Sequence, residues 1–240
     1  MAGFVAPSIV WERFEPVLDS AMNNYGVPIF HAKEFHDTKP PFKNWRRVKK
    51  RSFAEEIFGI VRGQLLGMAV GLRKVGYEKS KLDKGGLDSM SAMGVCFSSI
   101  MLKIVSDPGI GPIAQKEEIS FLLESGNKNN PEIERFFHLM AKKPAFGCLR
   151  SISFIPKNNC RAIQLADFLA FYSRRLLKTH DAFSARMALP GCAFVDIMRK
   201  NTEIWMRGST GVEKEVAPFK ISDFPNGESL IEKMKTLKPL

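Results

Sequence analysis

No stretch of this 240-residue chain approaches the roughly 20 consecutive apolar residues that a membrane-crossing helix needs. The N-terminus carries neither the basic segment nor the long apolar core of a secretory signal. Cysteine is scarce and irregularly spaced: Cys96, Cys148, Cys160 and Cys192 form no Cys-x-x-Cys pair. That excludes a zinc ribbon and a dithiol redox motif, and leaves free, mostly buried thiols suited to a reducing cytoplasm. Internal repeats and low-complexity segments are also missing. Acid is in short supply, with 25 Asp and Glu against 36 Lys and Arg and a net charge of +11. This balance favours a polyanionic partner, a nucleic acid or an acidic membrane surface. At 45% hydrophobic residues the chain can bury a real core, and its length suits one generous domain or a domain with an appendage. The expectation is a soluble, cytoplasmic protein with no membrane span.

Strand-like and helix-like patterns alternate as far as residue 178. Gly3–Ala6 reads as a short strand stopped by Pro7, and Ser8 as the N-cap of a helix that Pro16 should kink or delay. Val27–Phe30 leads extended into His31-Ala32-Lys33-Glu34-Phe35-His36-Asp37. A helix with core face Phe53, Ile57, Ile60 and Val61 closes at Gly67, before a buried strand at Met68–Leu72. A second buried helix runs from a Ser89 cap to Asp107-Pro108-Gly109, and its methionines read as core filler. Ile119–Leu123 is the clearest strand, ending in Glu124-Ser125-Gly126-Asn127-Lys128. A helix capped by Asn130, with His138 structural, and a strand at Leu149–Ile155 follow. Past Lys178 the patterning weakens: residues 192 to 205 read as one more helix, and 208 to 211 as a turn between short strands. This is the pattern of an α/β fold, a sheet covered by helices.

Arg161–Lys178 is apolar almost all the way round, the mark of a buried helix. Gln164 and Asp167, three residues apart, share one of its faces. A carboxylate held there needs a partner, and a metal ion, a basic side chain or a cluster of hydrogen-bond donors are the candidates. If Glu124 at its strand end converges with Asp167, the pair suits Mg²⁺ or Mn²⁺, and two such ions clamp the attacking and leaving oxygens of a phosphodiester. Alternatively Asp167 bridges to Gln164, Arg161 or Lys128. His31, Glu34, His36 and Asp37 lack the His-Glu-x-x-His spacing of a zinc site. His31 and Glu34 instead line the same site, His31 assisting proton transfer and Glu34 adding a ligand, or else form a local hydrogen-bonded turn.

Between Lys39 and Arg51 stand seven basic residues and no acid, interleaved with Phe42 and Trp45 and opened by Pro40-Pro41. Cations neutralise phosphates and aromatic faces stack on bases. Lys43, Trp45, Arg46, Arg47, Lys49, Lys50 and Arg51 are therefore candidate nucleic-acid contacts; a solvated loop running into a helix is the plain alternative.

Four segments in order, Trp11-Glu12-Arg13-Phe14, Phe30-His31-Ala32-Lys33-Glu34-Phe35, Phe121-Leu122-Leu123-Glu124-Ser125-Gly126-Asn127 and Ile163-Gln164-Leu165-Ala166-Asp167, resemble the domain-of-unknown-function family 3800 over most of residues 1 to about 178. The resemblance implies a ribonuclease-H-like fold, a mixed sheet flanked by helices, and a metal-dependent nuclease activity. Glu124 and Asp167 would be the catalytic metal ligands, with Glu34 and His31 auxiliary. One departure is large. Members of that family begin with a strand carrying Asp-Glu-Ser-Gly, whose aspartate is a metal ligand, and this chain has no such motif; Glu12, Glu15 and Asp19 lie in a helix pattern. Truncation, a strand supplied by a neighbouring chain, or abandoned catalysis would each account for it. The expectation is a truncated ribonuclease-H-like core over residues 1–180, a packed extension over 181–240, and weak or no nuclease activity. The alternative is a non-catalytic nucleic-acid-binding or regulatory protein that uses the basic stretch.

Overall fold

A computed structural model of the chain describes residues 1–61, 64–72, 77–78, 90–178, 202–207 and 213–215. β1 (Ala2–Val5) is followed by α1 (Ser8–Asn24). Pro7, not Ser8, takes the N-cap position, and its carbonyl accepts from the amides of Val10 at 2.9 Å and Trp11 at 3.3 Å. Pro16 neither delays nor ends α1. It sits on the exposed side, while Phe14, Leu18, Ala21 and Met22 bury the opposite stripe and hold the helix through it.

The His-Ala-Lys-Glu segment becomes a short helix, α2 (Ala32–Asp37), and the basic stretch runs into α3 (Arg47–Val61). α3 stops at Val61, and Gly67, expected to close it, lies inside β2 (Leu66–Leu72). α4 (Ala92–Ser106) is capped by Ser91, whose Oγ accepts from the Gly94 amide at 3.0 Å; the expected cap, Ser89, lies outside the described residues. α5 (Gly111–Lys116), β3 (Ile119–Glu124), α6 (Asn130–Ala141), β4 (Leu149–Ile155) and α7 (Arg161–Lys178) follow. β5 (Thr202–Arg207) and β6 (Glu213–Glu215) come last. Residues 202–205 are thus strand rather than the end of a helix, as alternation in Thr-Glu-Ile-Trp-Met-Arg favours; 192–201 and the turn at 208–211 lie outside the described residues.

The architecture is mixed α/β. β1 pairs antiparallel with β2, from Ala2 opposite Ala69 to Val5 opposite Leu66, in a sheet of order β1-β2-β5-β6. β3 and β4 form a separate parallel pair, linked through α6. Among the described residues the strands therefore fall into two sheets and not one. β3 is buried on one face: Phe121 and Leu123 face the core, while Leu122 is 54% exposed beside Ser120, whose hydroxyl accepts from Ser151 Oγ at 2.8 Å.

The chain divides into two compact units, one built from Ala2–Ala69 with Cys160–Glu203, the other from Val70–Asn159 with Ile204–Val216 and Met1. In the first, α1, α2, α3 and α7 close over Phe14, Leu18, Phe30, Phe35, Phe53 and Phe168. In the second, Phe97, Met101, Ile133 and Phe137 pack with Phe121, Leu123, Ile152 and Phe154 from β3 and β4. Among the described residues no helix is long and apolar enough to cross a membrane.

The corner between α4 and α5 leaves no room for a side chain at Gly111, since a β-carbon there would stand 2.5 Å from the backbone carbonyl oxygen of Val105. Backbone cannot swing aside as a side-chain tip can. Gly111→Ala is expected to cost about 1–3 kcal/mol, read as a lower urea midpoint at unchanged slope.

Candidate functional site

α7 carries a polar stripe of Arg161, Gln164 and Asp167, three residues apart along one face. Each makes a hydrogen bond to the segment that leads into α2. Arg161 Nη1 donates to the Pro28 carbonyl at 2.7 Å. Gln164 Oε1 accepts from the Phe30 amide at 2.9 Å and from Arg161 Nη1 at 3.0 Å. Asp167 Oδ2 accepts from the Ala32 amide at 3.0 Å. The chain bends at Pro28 and Ile29 before α2 opens at Ala32, and it takes these hydrogen bonds from a helix face.

One partner of Asp167 is thus a hydrogen-bond donor, the backbone amide of Ala32. The Arg161 guanidinium, one of the alternative partners, turns to Asp19, with Nη2 at 2.6 Å and Nε at 2.8 Å from Oδ1. Nor is α7 buried all round: Gln164 is fully buried, Asp167 only half-buried, and Arg174 exposed.

His31 and Glu34 are carried by α2. A six-residue helix has little stability of its own. Three features hold it: Asp167 places a carboxylate at its positive end, Phe35 is buried beneath it, and Thr38 ends it in the left-handed region at φ 55°. His31 is the N-cap residue, with no side-chain cap bond, and its carbonyl accepts from the Phe35 amide at 2.9 Å. Glu34 lies in the first turn, half-buried. The Ala32 contact therefore sets the Asp167 carboxylate beside the turn that bears both residues.

The basic stretch sorts into two groups. Phe42 is fully buried, so it offers no face to a base and that expectation is corrected; its ring meets Phe35 at 5.0 Å and Trp45 at 5.1 Å between centroids. Trp45 is half-buried, edge-on to Phe53 at 5.4 Å, with Lys49 Nζ 4.3 Å from its ring centre. Lys50 turns inward. Its Nζ donates to Thr38 Oγ1 at 3.0 Å and lies 4.7 Å from the centre of the Phe35 ring. Burial pushes this ammonium below the ordinary lysine value, and the charge of Asp37 opposes the shift. Lys43, Arg46, Arg47, Lys49 and Arg51 are exposed, Arg51 in a 2.7 Å ion pair with Glu55. The Pro40–Pro41 bond that opens the stretch is cis.

Glu124 ends β3 with its side chain exposed, and its carbonyl accepts from Asn130 Nδ2 at 3.0 Å. It belongs to the unit of β3 and β4, Asp167 to the unit of α1 and α7. Among the described residues no group of three or more His, Cys, Asp or Glu side chains is arranged to hold a metal ion. Cys96, Cys148 and Cys160 are buried free thiols, and burial raises Cys148 and Cys160 above the ordinary thiol value.

Comparison of the chain with family models, with curated proteins and with solved structures finds no match.

Asp19 emerges as a part of this site that sequence reasoning did not place, and Arg161, named there only as a possible partner of Asp167, serves Pro28, Gln164 and Asp19. The signal available was the three-residue spacing, which extends one step back from Gln164 to Arg161.

Two substitutions separate holding the backbone from holding charge. Gln164→Leu leaves the Phe30 amide buried without this acceptor and is expected to cost about 1–3 kcal/mol. Asp167→Asn keeps an oxygen toward Ala32 and is expected to cost less than about 1 kcal/mol. Urea titration of the full chain reads both, and the reverse order would contradict the assigned contacts.

Proposed function

We propose that this protein binds nucleic acid through the phosphate backbone, with Lys43, Arg46, Arg47, Lys49 and Arg51 as the contacting side chains. The observation that carries the reading is a run of exposed cations with no acid from Lys39 to Arg51, seated on a packed aromatic layer. Cations crowded into the first turn of α3 oppose the helix dipole, which is unfavourable unless an anion arrives. The layer beneath, from Phe35 through Trp45 to Phe53, restricts the stretch and lowers the entropy lost on binding. Buried thiols and the want of a long apolar helix among the described residues fit the cytoplasm as its setting.

A second reading has one observation in its favour. The contact between Asp167 and Ala32 brings that carboxylate to the turn bearing His31 and Glu34. In this reading the chain is of the ribonuclease-H-like, metal-dependent nuclease lineage that its four ordered segments resemble. Asp167 would hold Mg²⁺ or Mn²⁺ through oxygen, with Glu34 and His31 auxiliary, while Glu124, the other ligand that the resemblance implies, belongs to the other unit. The ion, when bound, supplies Lewis-acid stabilisation of the scissile phosphate. The donors that the described residues gather fall short of a three-ligand set, so no catalytic step is built on them.

Fluorescence anisotropy with labelled DNA and RNA tests the first reading. Affinity is expected to fall steeply with salt, and Arg46→Ala with Arg47→Ala to weaken binding and lower the salt slope by about 1 per residue. Binding indifferent to salt and to both substitutions removes it. For the second, cleavage that requires Mg²⁺ or Mn²⁺ and vanishes in Asp167→Asn, with binding kept, is the supporting result; cleavage unchanged in that variant sinks the metal assignment.

A further inference from the structure

Proteins hold nucleic-acid strands by two separable means, cations against phosphates and aromatic faces against bases. On this basic stretch the first is the better supplied, since Phe42 is withdrawn into the core and Trp45 is half-buried against it. Phe42 is fully buried. The Trp45 ring meets Tyr25, Phe35, Phe42 and Phe53 at centroid distances of 5.8, 6.5, 5.1 and 5.4 Å, with Lys49 over its face. What the surface presents is Lys43, Arg46, Arg47 and Lys49, with the aliphatic Val48 among them at 76% exposure. One turn further along α3 the exposed side becomes acidic at Glu55 and Glu56, and Glu55 already pairs with Arg51. The cationic footprint is therefore short, about four side chains.

A surface of charges without stacking faces gains most where phosphates are densest. A double helix carries one negative charge per about 1.7 Å of its axis, twice the linear density of one strand in that geometry. From this we infer that the ligand of the basic segment is the phosphate backbone of a double helix, gripped without base stacking. The inference rests on the nucleic-acid reading above and narrows it to duplexes. The chemistry is shared by DNA and RNA duplexes, which the experiment compares.

The full chain is titrated, at several salt concentrations, into a DNA duplex, an RNA duplex, a mixed-sequence single strand and an abasic strand of equal length. The duplexes are expected to bind at least several-fold more tightly than either strand, with a slope of log affinity against log salt of about −4. The single strand and its abasic counterpart are expected to agree within about twofold, because one stacked base lost to a stacking site would change affinity by about five- to 150-fold. Tighter binding to one duplex type than the other supports the inference and names the source. A mixed strand that outbinds the abasic strand or the duplexes by tenfold overturns it while nucleic-acid binding stands. Failure of all four probes to bind removes the underlying reading and this one with it.

Discussion

Chain outside helices and strands must still pair its buried amides and carbonyls, and in the unit of α1, α2, α3 and α7 this need is met for residues 28 to 32 by one helix face. Arg161, Gln164 and Asp167 supply a donor and two acceptors to Pro28, Phe30 and Ala32. A buried amide left without an acceptor costs about 1–3 kcal/mol, against about 0.5–1.5 kcal/mol gained by an ordinary pairing. The contacts therefore act mainly by removing the alternative registers in which those groups would be orphaned. They also reinforce one another: Gln164 Oε1 accepts from both Phe30 and Arg161, and Arg161 is turned by Asp19 of α1. Two helices and a connecting segment more than 130 residues away from α7 in sequence are thereby held in one arrangement.

What lies downstream of that lock inherits its position. α2 begins at the amide that Asp167 holds, Phe35 drops from α2 into the aromatic layer, and Phe30 packs on Phe168 at 5.4 Å between centroids. Phe42 and Trp45 close the same layer from the basic stretch. The cations there are borne by side chains whose neighbours in sequence are anchored, so the charge pattern has a defined geometry. Lys50 shows the competition at its sharpest. The same alternation that turns Arg46, Arg47 and Lys49 outward turns Lys50 onto Phe35 and Thr38, where its stem contributes packing and its ammonium satisfies a hydroxyl.

Much of the fold was readable in advance because it depends on local periodicity. The strand at Ile119–Glu124, the helix from Arg161 and the polar pair Gln164 and Asp167 inside it follow from spacing alone. The demand that Asp167 find a partner was likewise visible, since a carboxylate on an apolar helix face is costly. Its answer was not, because backbone amides are present in every residue and leave no mark in sequence. Phe42 misled for a related reason: an aromatic among lysines looks the same whether it faces a base or a core, and only the fold around Phe35 and Phe53 decides. Residues 202–205 turned to strand because pairing with a partner strand outweighed a weak helical pattern.

The role of Asp167 bears on how far binding and catalysis are separable here. A carboxylate lodged on an apolar helix face ordinarily needs a cation to offset its desolvation. At the first amide of α2 it meets aligned peptide dipoles instead, and the half-exposed setting leaves part of its hydration in place. Its charge is thus accommodated by the fold itself. A metal ion would be an addition to this arrangement. In the basic stretch Arg51 pairs with Glu55 and Lys49 lies over the ring of Trp45, yet the run from Lys39 to Arg51 holds seven cations and no acid of its own. Positive charge of that density held in place is what a polyanion recognises, and this makes phosphate binding the reading with the least added machinery.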